Sequence, residues 1–206
     1  MPKSPENIKL SILILSIPSR IKQLEALLEK LENQFDDDRV EILVMLDNKS
    51  FHIYEKRNEL LNMARGEYLC FLDDDDNVAD NYIPSILDVL DNETPDVICF
   101  KQHCNYNGAE FDVVFDIDHN WDPMDQLQFN GVGFNNLNRP PFHMCPWKSE
   151  IAKAEKFTEN YDAQGQSCED SDWLLRLYPQ VKEQIFIDDC LHYYHYSSEG
   201  TESILK

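Results

Sequence analysis

Hydrophobic positions along the chain follow two alternating rhythms. Leu10–Ile17 (LSILILSI) is apolar on both faces and rich in branched side chains, the pattern of a central parallel strand. Pro18 and Ser19 break it, and Ser19 is placed to cap the next helix. Ile21, Leu24, Leu27, Leu28 and Leu31 then recur at helical spacing. Val40–Leu46 (VEILVML) predicts a second strand ending at Asp47. Tyr54–Ala64 carries Leu60, Leu61 and Ala64 on a helical pattern, with Gly66 as its stop. Tyr68–Leu72 (YLCFL) predicts a third strand, Tyr82–Leu90 a helix and Asp96–Lys101 a fourth strand.

This alternation predicts an α/β domain with a largely parallel sheet. Ligands of such sheets bind beyond the carboxyl ends of the strands. Pro18, Asp47 and the run Asp73–Asp76 all fall there, so three strands deliver polar chemistry to one edge. The second half is less regular. Phe111–Ile117 alternates like a strand, and Asp118–Pro141 reads as a polar loop containing Gly131 and Gly133. His143–Trp147 begins another short strand. Glu169–Leu177 (EDSDWLLRL) reads as a helix opened by acids, which suit the positive end of its dipole. Ile185–Asp188 and Leu191–Tyr196 read as strands.

A length of 206 residues allows one sizeable core and is short for two domains. Against 39 acidic residues stand 18 basic ones, a net charge of -21. A field of that sign repels nucleic acid and anionic membranes, which argues against both as partners. The six cysteines form no CxxC, and they read as reduced, mostly buried thiols. Cys99, His103 and Cys104 fit no standard zinc spacing. The apolar run Ile8–Ile17 is too short to span a bilayer and has no small-residue cleavage site, so a cytoplasmic protein is expected.

The chemistry concentrates in FLDDDDN (Phe71–Asn77), where four aspartates close a buried strand. A solvated loop and a cation site both account for such a run. An EF-hand starting at Asp73 requires Gly at its sixth position and Glu at its twelfth, and Val78 and Pro84 stand there. What remains is a DxD pair, Asp73 and Asp75, beside a nucleotide diphosphate. Magnesium or manganese takes one or two carboxylates plus phosphate oxygens and keeps several waters. A DxD alone is a weak signal in an acidic chain, so its neighbours decide.

The segment EKRNELLNMARGEYLCFLDDDDNV (Glu55–Val78) resembles the nucleotide-sugar-binding core of the family 2 glycosyltransferases, which have the GT-A fold. Arg57-Asn58, Gly66, Tyr68–Leu72 and Asp73–Asp76 follow in the family's order. LSIPSR (Leu15–Arg20) is similar to its first strand and Pro-containing turn. LDNKS (Leu46–Ser50) is similar to its second strand end, although Asn48 and Lys49 depart from the usual second acid and Gly, so only Asp47 carries over. EDSDWLLRL resembles the family's ED motif. The resemblance covers about the first 80 residues and returns at Cys168–Leu177. The short length and RPPFHMCPW (Arg139–Trp147) resemble the small single-domain members of bacteriophages and large DNA viruses.

The resemblance implies an inverting, metal-dependent transfer from a nucleotide-diphospho-sugar, with a UDP-sugar expected, to a hydroxyl of a saccharide or glycan. It implies a single domain over 1–206, with about 1–103 binding the nucleotide and about 104–206 the acceptor. Pro18, Ser19, Arg20, Asp47, Arg57, Asn58, Asp73 and Asp74 take the nucleotide-sugar side. Asp75 takes the metal, Mn2+ or Mg2+. Asp170 takes the role of general base, with Glu169 orienting the acceptor and Asp172 the competing base. His192 and His195 are candidate further metal ligands. Their separation by three positions puts them on opposite faces of a strand, so at most one faces the metal. His143 and Trp147 are candidates to line the acceptor pocket, with a core role the simpler reading for Trp147. The alternatives are a nucleotide-sugar- or cation-binding protein without turnover, or transfer to modified DNA bases. A nucleotidyltransferase fits poorly, because LSIPSR lacks the glycines of a phosphate loop.

Overall fold

The computed structural model describes residues 8–35, 38–119, 136–161 and 167–196. Its first half is the predicted alternation. β1 (Leu10–Ser16) lies between β2 (Val40–Leu46) and β3 (Tyr68–Asp73), parallel to both. Every residue of β1 is buried, as its unbroken apolar run requires. α1 (Ile21–Glu32) buries Leu24, Leu27 and Leu31, α2 (Ile53–Met63) buries Leu60 and Leu61, and α3 (Tyr82–Asn92) buries Tyr82, Ile83, Ile86, Leu87 and Leu90.

Two local expectations are corrected. Ser19 does not cap α1: it sits in a 3-10 turn, Pro18–Arg20, and Arg20 occupies the N-cap. Gly66 does not stop α2, which ends at Met63 with Ala64 already extended. Its task is close approach, since a Cβ there would meet the Ser11 amide nitrogen at 2.6 Å and the Ser11 hydroxyl at 2.7 Å.

The second half mixes directions. Strand order is β2-β1-β3-β8-β5-β6-β7. β8 (Trp147–Lys148) is only two residues long and is wedged antiparallel between β3 and β5 (Val97–Tyr106). β6 (Ala109–Phe115) forms a hairpin with β5 through Asn107 and Gly108, both at positive φ. β7 (Asn136–Arg139) is a strand within the stretch expected to be loop, parallel to β6, and 120–135 of that stretch lies outside the described residues. The two expected late strands form one, β9 (Gln184–Tyr196), which runs parallel to β5 and pairs with β4 (Asn77–Val78). The register shifts between Cys99 and Gln102 absorb the Asp188-Asp189-Cys190 interruption that divides it in sequence.

After β8 come α4 (Ser149–Ala152) and α5 (Glu169–Leu177). Phe71, Phe157, Trp147 and Trp173 pack beneath α5, with Phe157 stacked on Trp173 at 4.6 Å. Trp147 is wholly buried and is a core residue. All six cysteines are free thiols, four of them buried.

Candidate active site

The four aspartates fold into a tight turn in which the Asp76 amide donates to the Asp73 carbonyl at 3.1 Å. Their side chains divide by position. Asp74 is buried and accepts from Ser16 Oγ at 2.7 Å and from Arg20 Nη1 at 2.9 Å. Asp76 is buried and pairs with His192 Nε2 at 3.0 Å. Asp73 and Asp75 each remain 38% exposed at the strand end. Arg20 also reaches Asp75 at 3.1 Å. Burial first, and then the neighbouring carboxylates, push the Asp75 carboxyl up to about 6 despite Arg20. The turn thus concentrates negative charge beyond what its cations balance.

Across the gap, α5 opens with the second acid group. Glu169 is buried, accepts from Arg57 Nε at 3.0 Å, and is held on its other oxygen by Ser167. Asp170 makes only local bonds on Oδ1, from the Ser171 amide at 2.6 Å and the Ser171 hydroxyl at 3.3 Å. Burial first, then Glu169, raises the Asp170 carboxyl to about 7. Asp172 is occupied elsewhere, by Thr158 Oγ1 at 2.7 Å and Arg176 Nη2 at 2.8 Å. Asp170 combines a raised carboxyl with an Oδ2 that takes no hydrogen bond among the described residues.

Two buried residues join the acid groups. Arg57 reaches Asp73 at 3.7 Å as well as Glu169, and its guanidinium lies over the Phe71 and Phe157 rings at 5.0 and 5.5 Å. Its pair with Glu169 is a buried one. His143 sits between Asp170, 3.5 Å from Nδ1, and Asp73, 3.9 Å from Nε2. Burial first, and the Arg57 charge next, hold its pKa well below the ordinary value, so the ring is neutral.

Other sequence candidates take different positions. Asp47, at the end of β2, accepts from Lys56 Nζ at 2.8 Å and from the Ser50 and Phe51 amides. Burial works to raise its pKa, but those bonds outweigh it and hold the carboxyl below its usual range. Asn58 is clamped on both backbone groups of Phe157, at 2.8 and 2.9 Å, so its amide braces the fold beneath α5. Pro18 and Ser19 are exposed in their turn. His192 is fully buried, bonded through Nδ1 to Gln102 at 2.8 Å and through Nε2 to Asp76 and not to Asp75. His195 is exposed, on the opposite face as its spacing requires. Ser16, Lys56 and Gln102 lie outside the sequence motifs, and their signals are pairings 9 to 90 residues apart.

Among the described residues no three His, Cys, Asp or Glu side chains gather into a closed metal site. His103 turns to Asp112, and Cys104 to Gln102, which disposes of the zinc spacing. A divalent ion held chiefly by phosphate oxygens requires less: one or two outward carboxylates with unbalanced charge. Asp73 and Asp75 have both properties.

The comparisons with known proteins show the family and the fold. The sequence model of the family described as Glycosyl transferase family 2 matches residues 22–144, more than half of the chain. Glycosyltransferase GlyG of Streptococcus pneumoniae is 25% identical over 163 residues, which are 77% of this chain and 52% of that protein. The chain therefore spans about half the length of this curated relative. Among solved structures, S. aureus TarS 1-349 in complex with UDP-GlcNAc aligns with a TM-score of 0.66 at 16% identity, over 93% of this chain and 59% of that one. Mannosyltransferase PcManGT from Pyrobaculum calidifontis, in complex with GDP-Man and Mn2+, aligns with a TM-score of 0.56 at 13% identity, over 97% and 61%. At these identities the structural likeness carries the fold.

Proposed function

Because this chain belongs to the family 2 glycosyltransferases and has their GT-A fold, we propose that it transfers a sugar from a nucleotide-diphospho-sugar to an acceptor hydroxyl, with inversion at the anomeric carbon. The observation that carries the reading is the facing of two acid groups across one gap, with Arg57 and His143 between them. Asp73 and Asp75 serve the diphosphate side. Asp170 serves the acceptor side as general base.

The chemistry follows from these positions. The acceptor oxygen attacks the anomeric carbon as the bond to the phosphate oxygen breaks, and Asp170 takes the hydroxyl proton. A base is most effective when its pKa lies near the working pH, and about 7 meets that condition. Glu169 holds Arg57, and Arg57 holds the charge balance between Asp73 and α5. Asp75, with Asp73 beside it, would hold Mn2+ or Mg2+ together with phosphate oxygens and water. When bound, that ion supplies positive charge to the departing diphosphate. His195 faces away and is not part of this set. His192 holds Asp76, and through Asp76 it supports the turn.

UDP is our choice of nucleotide, with Asp47 and Lys56 shaping the turn that receives the base. Residues of about 1–103 form the nucleotide side and about 104–206 the acceptor side of one domain. The acceptor is a saccharide or glycan hydroxyl, since the net charge of -21 opposes nucleic acid. No described helix is long and apolar enough to cross a membrane. The free thiols fit the cytoplasm.

Calorimetric titration of UDP, then GDP, with manganese and again with a chelator tests the proposal. UDP binding that requires the metal is expected. Absence of binding for both nucleotides under both conditions contradicts it.

A further inference from the structure

Among the described residues, three buried nitrogen atoms beside these acids have no hydrogen-bond partner: Arg57 Nη1, His143 Nδ1 and His143 Nε2. Orphaned buried donors and acceptors cost about 1–3 kcal/mol each, and native interiors hold few of them. Here the three belong to two residues that are 2% and 4% exposed and that share Asp73, with Arg57 also on Glu169 and His143 also beside Asp170. Such clustering marks a prepared binding position.

The chemistry of the position defines its occupant. A neutral imidazole presents one donor and one acceptor. The carboxylates of Asp73 and Asp170 are acceptors, and Arg57 Nη1 is a donor. A phosphate oxygen only accepts, so it satisfies the nitrogen donors but meets two carboxylates with like charge. A hydroxyl group both donates and accepts. Neither the 3.5 Å contact to Asp170 nor the 3.9 Å contact to Asp73 is a hydrogen bond, so a hydroxyl beside the ring can bond a ring nitrogen without displacing one. Among the described residues no three metal-ligating side chains gather at coordinating distance here, which separates the position from a cation site.

Resting on the glycosyltransferase reading above, we propose that His143, with Arg57 Nη1, binds a hydroxyl of the donor sugar and so sets which sugar this chain accepts. Its location supports the donor over the acceptor: the sugar ring must lie between the diphosphate at Asp73 and Asp75 and the base at Asp170, and His143 spans that interval. Arg57 has its other nitrogens on Glu169 and Asp73, so His143 is the separable member of the pair.

The test compares affinity for UDP with affinity for whichever of UDP-glucose, UDP-galactose and UDP-GlcNAc binds tightest, in manganese. Wild-type protein gains affinity from the sugar. His143→Leu is expected to remove about tenfold of that gain while UDP affinity stays within twofold, and His143→Asn or His143→Gln to restore part of it. An unchanged gain in His143→Leu overturns the assignment, whatever happens to acceptor kinetics. If His143→Leu does not fold, wild-type protein is titrated with the same donor lacking single hydroxyls. One position is then expected to cost about tenfold, and equal affinity across the set overturns the proposal. Failure of wild-type protein to bind UDP itself refutes the parent reading, and this inference falls with it.

Discussion

The two acid groups at this edge carry the same kind of charge and are built in opposite ways. In the turn after β3, the alternate residues Asp74 and Asp76 are buried and bonded, to Ser16 and Arg20 and to His192, while Asp73 and Asp75 stay open. In α5 the outer acids are the occupied ones. Glu169 is bound by Arg57 and Ser167, Asp172 takes Arg176 and Thr158 on one oxygen, and Asp170 between them is bonded only by its neighbour Ser171 among the described residues. Holding and working carboxylates therefore differ in their partners and not in residue type or count. The open Asp75 of the turn and the open Asp170 of the helix are both raised, chiefly by burial, and in our proposal the first serves a cation and the second a proton.

Replacing Arg57 gives the largest expected effect on stability. Arg57→Ala leaves Glu169 charged and buried, and loss of one partner of a buried pair costs about 3–5 kcal/mol. Chemical denaturation measures it, and adding Glu169→Gln is expected to recover part of the loss. A cost below about 1 kcal/mol would reduce the link between the acid groups to a surface-like contact.

Asp75→Ala comes next. It is expected to abolish the manganese dependence of UDP binding and to leave the fold intact, because among the described residues Asp75 supports only Arg20. Calorimetry with and without chelator decides, and metal-dependent binding at wild-type affinity removes Asp75 from the site.

A smaller effect separates the groups by pH. The native protein holds the Asp75 proton more tightly than the unfolded chain does, with a pKa of about 6 against roughly 3.9. That contribution is fully present below the unfolded value and is lost as pH rises through the folded one. In metal-free protein, Asp75→Asn is therefore expected to gain on wild type in Tm between about pH 4 and 6, and to hold a constant lead above. A lead that does not change across this window contradicts the charge crowding. The smallest effect is that of Asp172→Asn, which breaks a half-exposed pair with Arg176. It is expected to change stability by less than about 1 kcal/mol and transfer by less than threefold.

The same contrast explains what was legible in the sequence. β1, β2 and β3 are apolar runs that end where polar residues begin, so Asp47 and Asp73–Asp76 could be placed at one edge directly. EDSDWLLRL carried its helix in its own periodicity. What could not be read was partnership at a distance. Arg57 looks like any helical arginine until β3 and α5 close over it. Asp76 finds His192 across 116 residues. β8 is two residues that pair only because β3 and β5 leave a slot between them. His143 lies in a Pro-rich stretch without motif or period, and its importance comes from two carboxylates supplied by other elements.

The central claim is that Asp170 is the working acid of its group. It is tested most directly by measuring UDP affinity and single-turnover UDP release from a UDP-sugar in wild type and Asp170→Asn. The account predicts affinity within twofold and a rate lowered by roughly 10²–10⁴. A rate that survives with only a small loss, or a parallel loss of binding and rate, would contradict it.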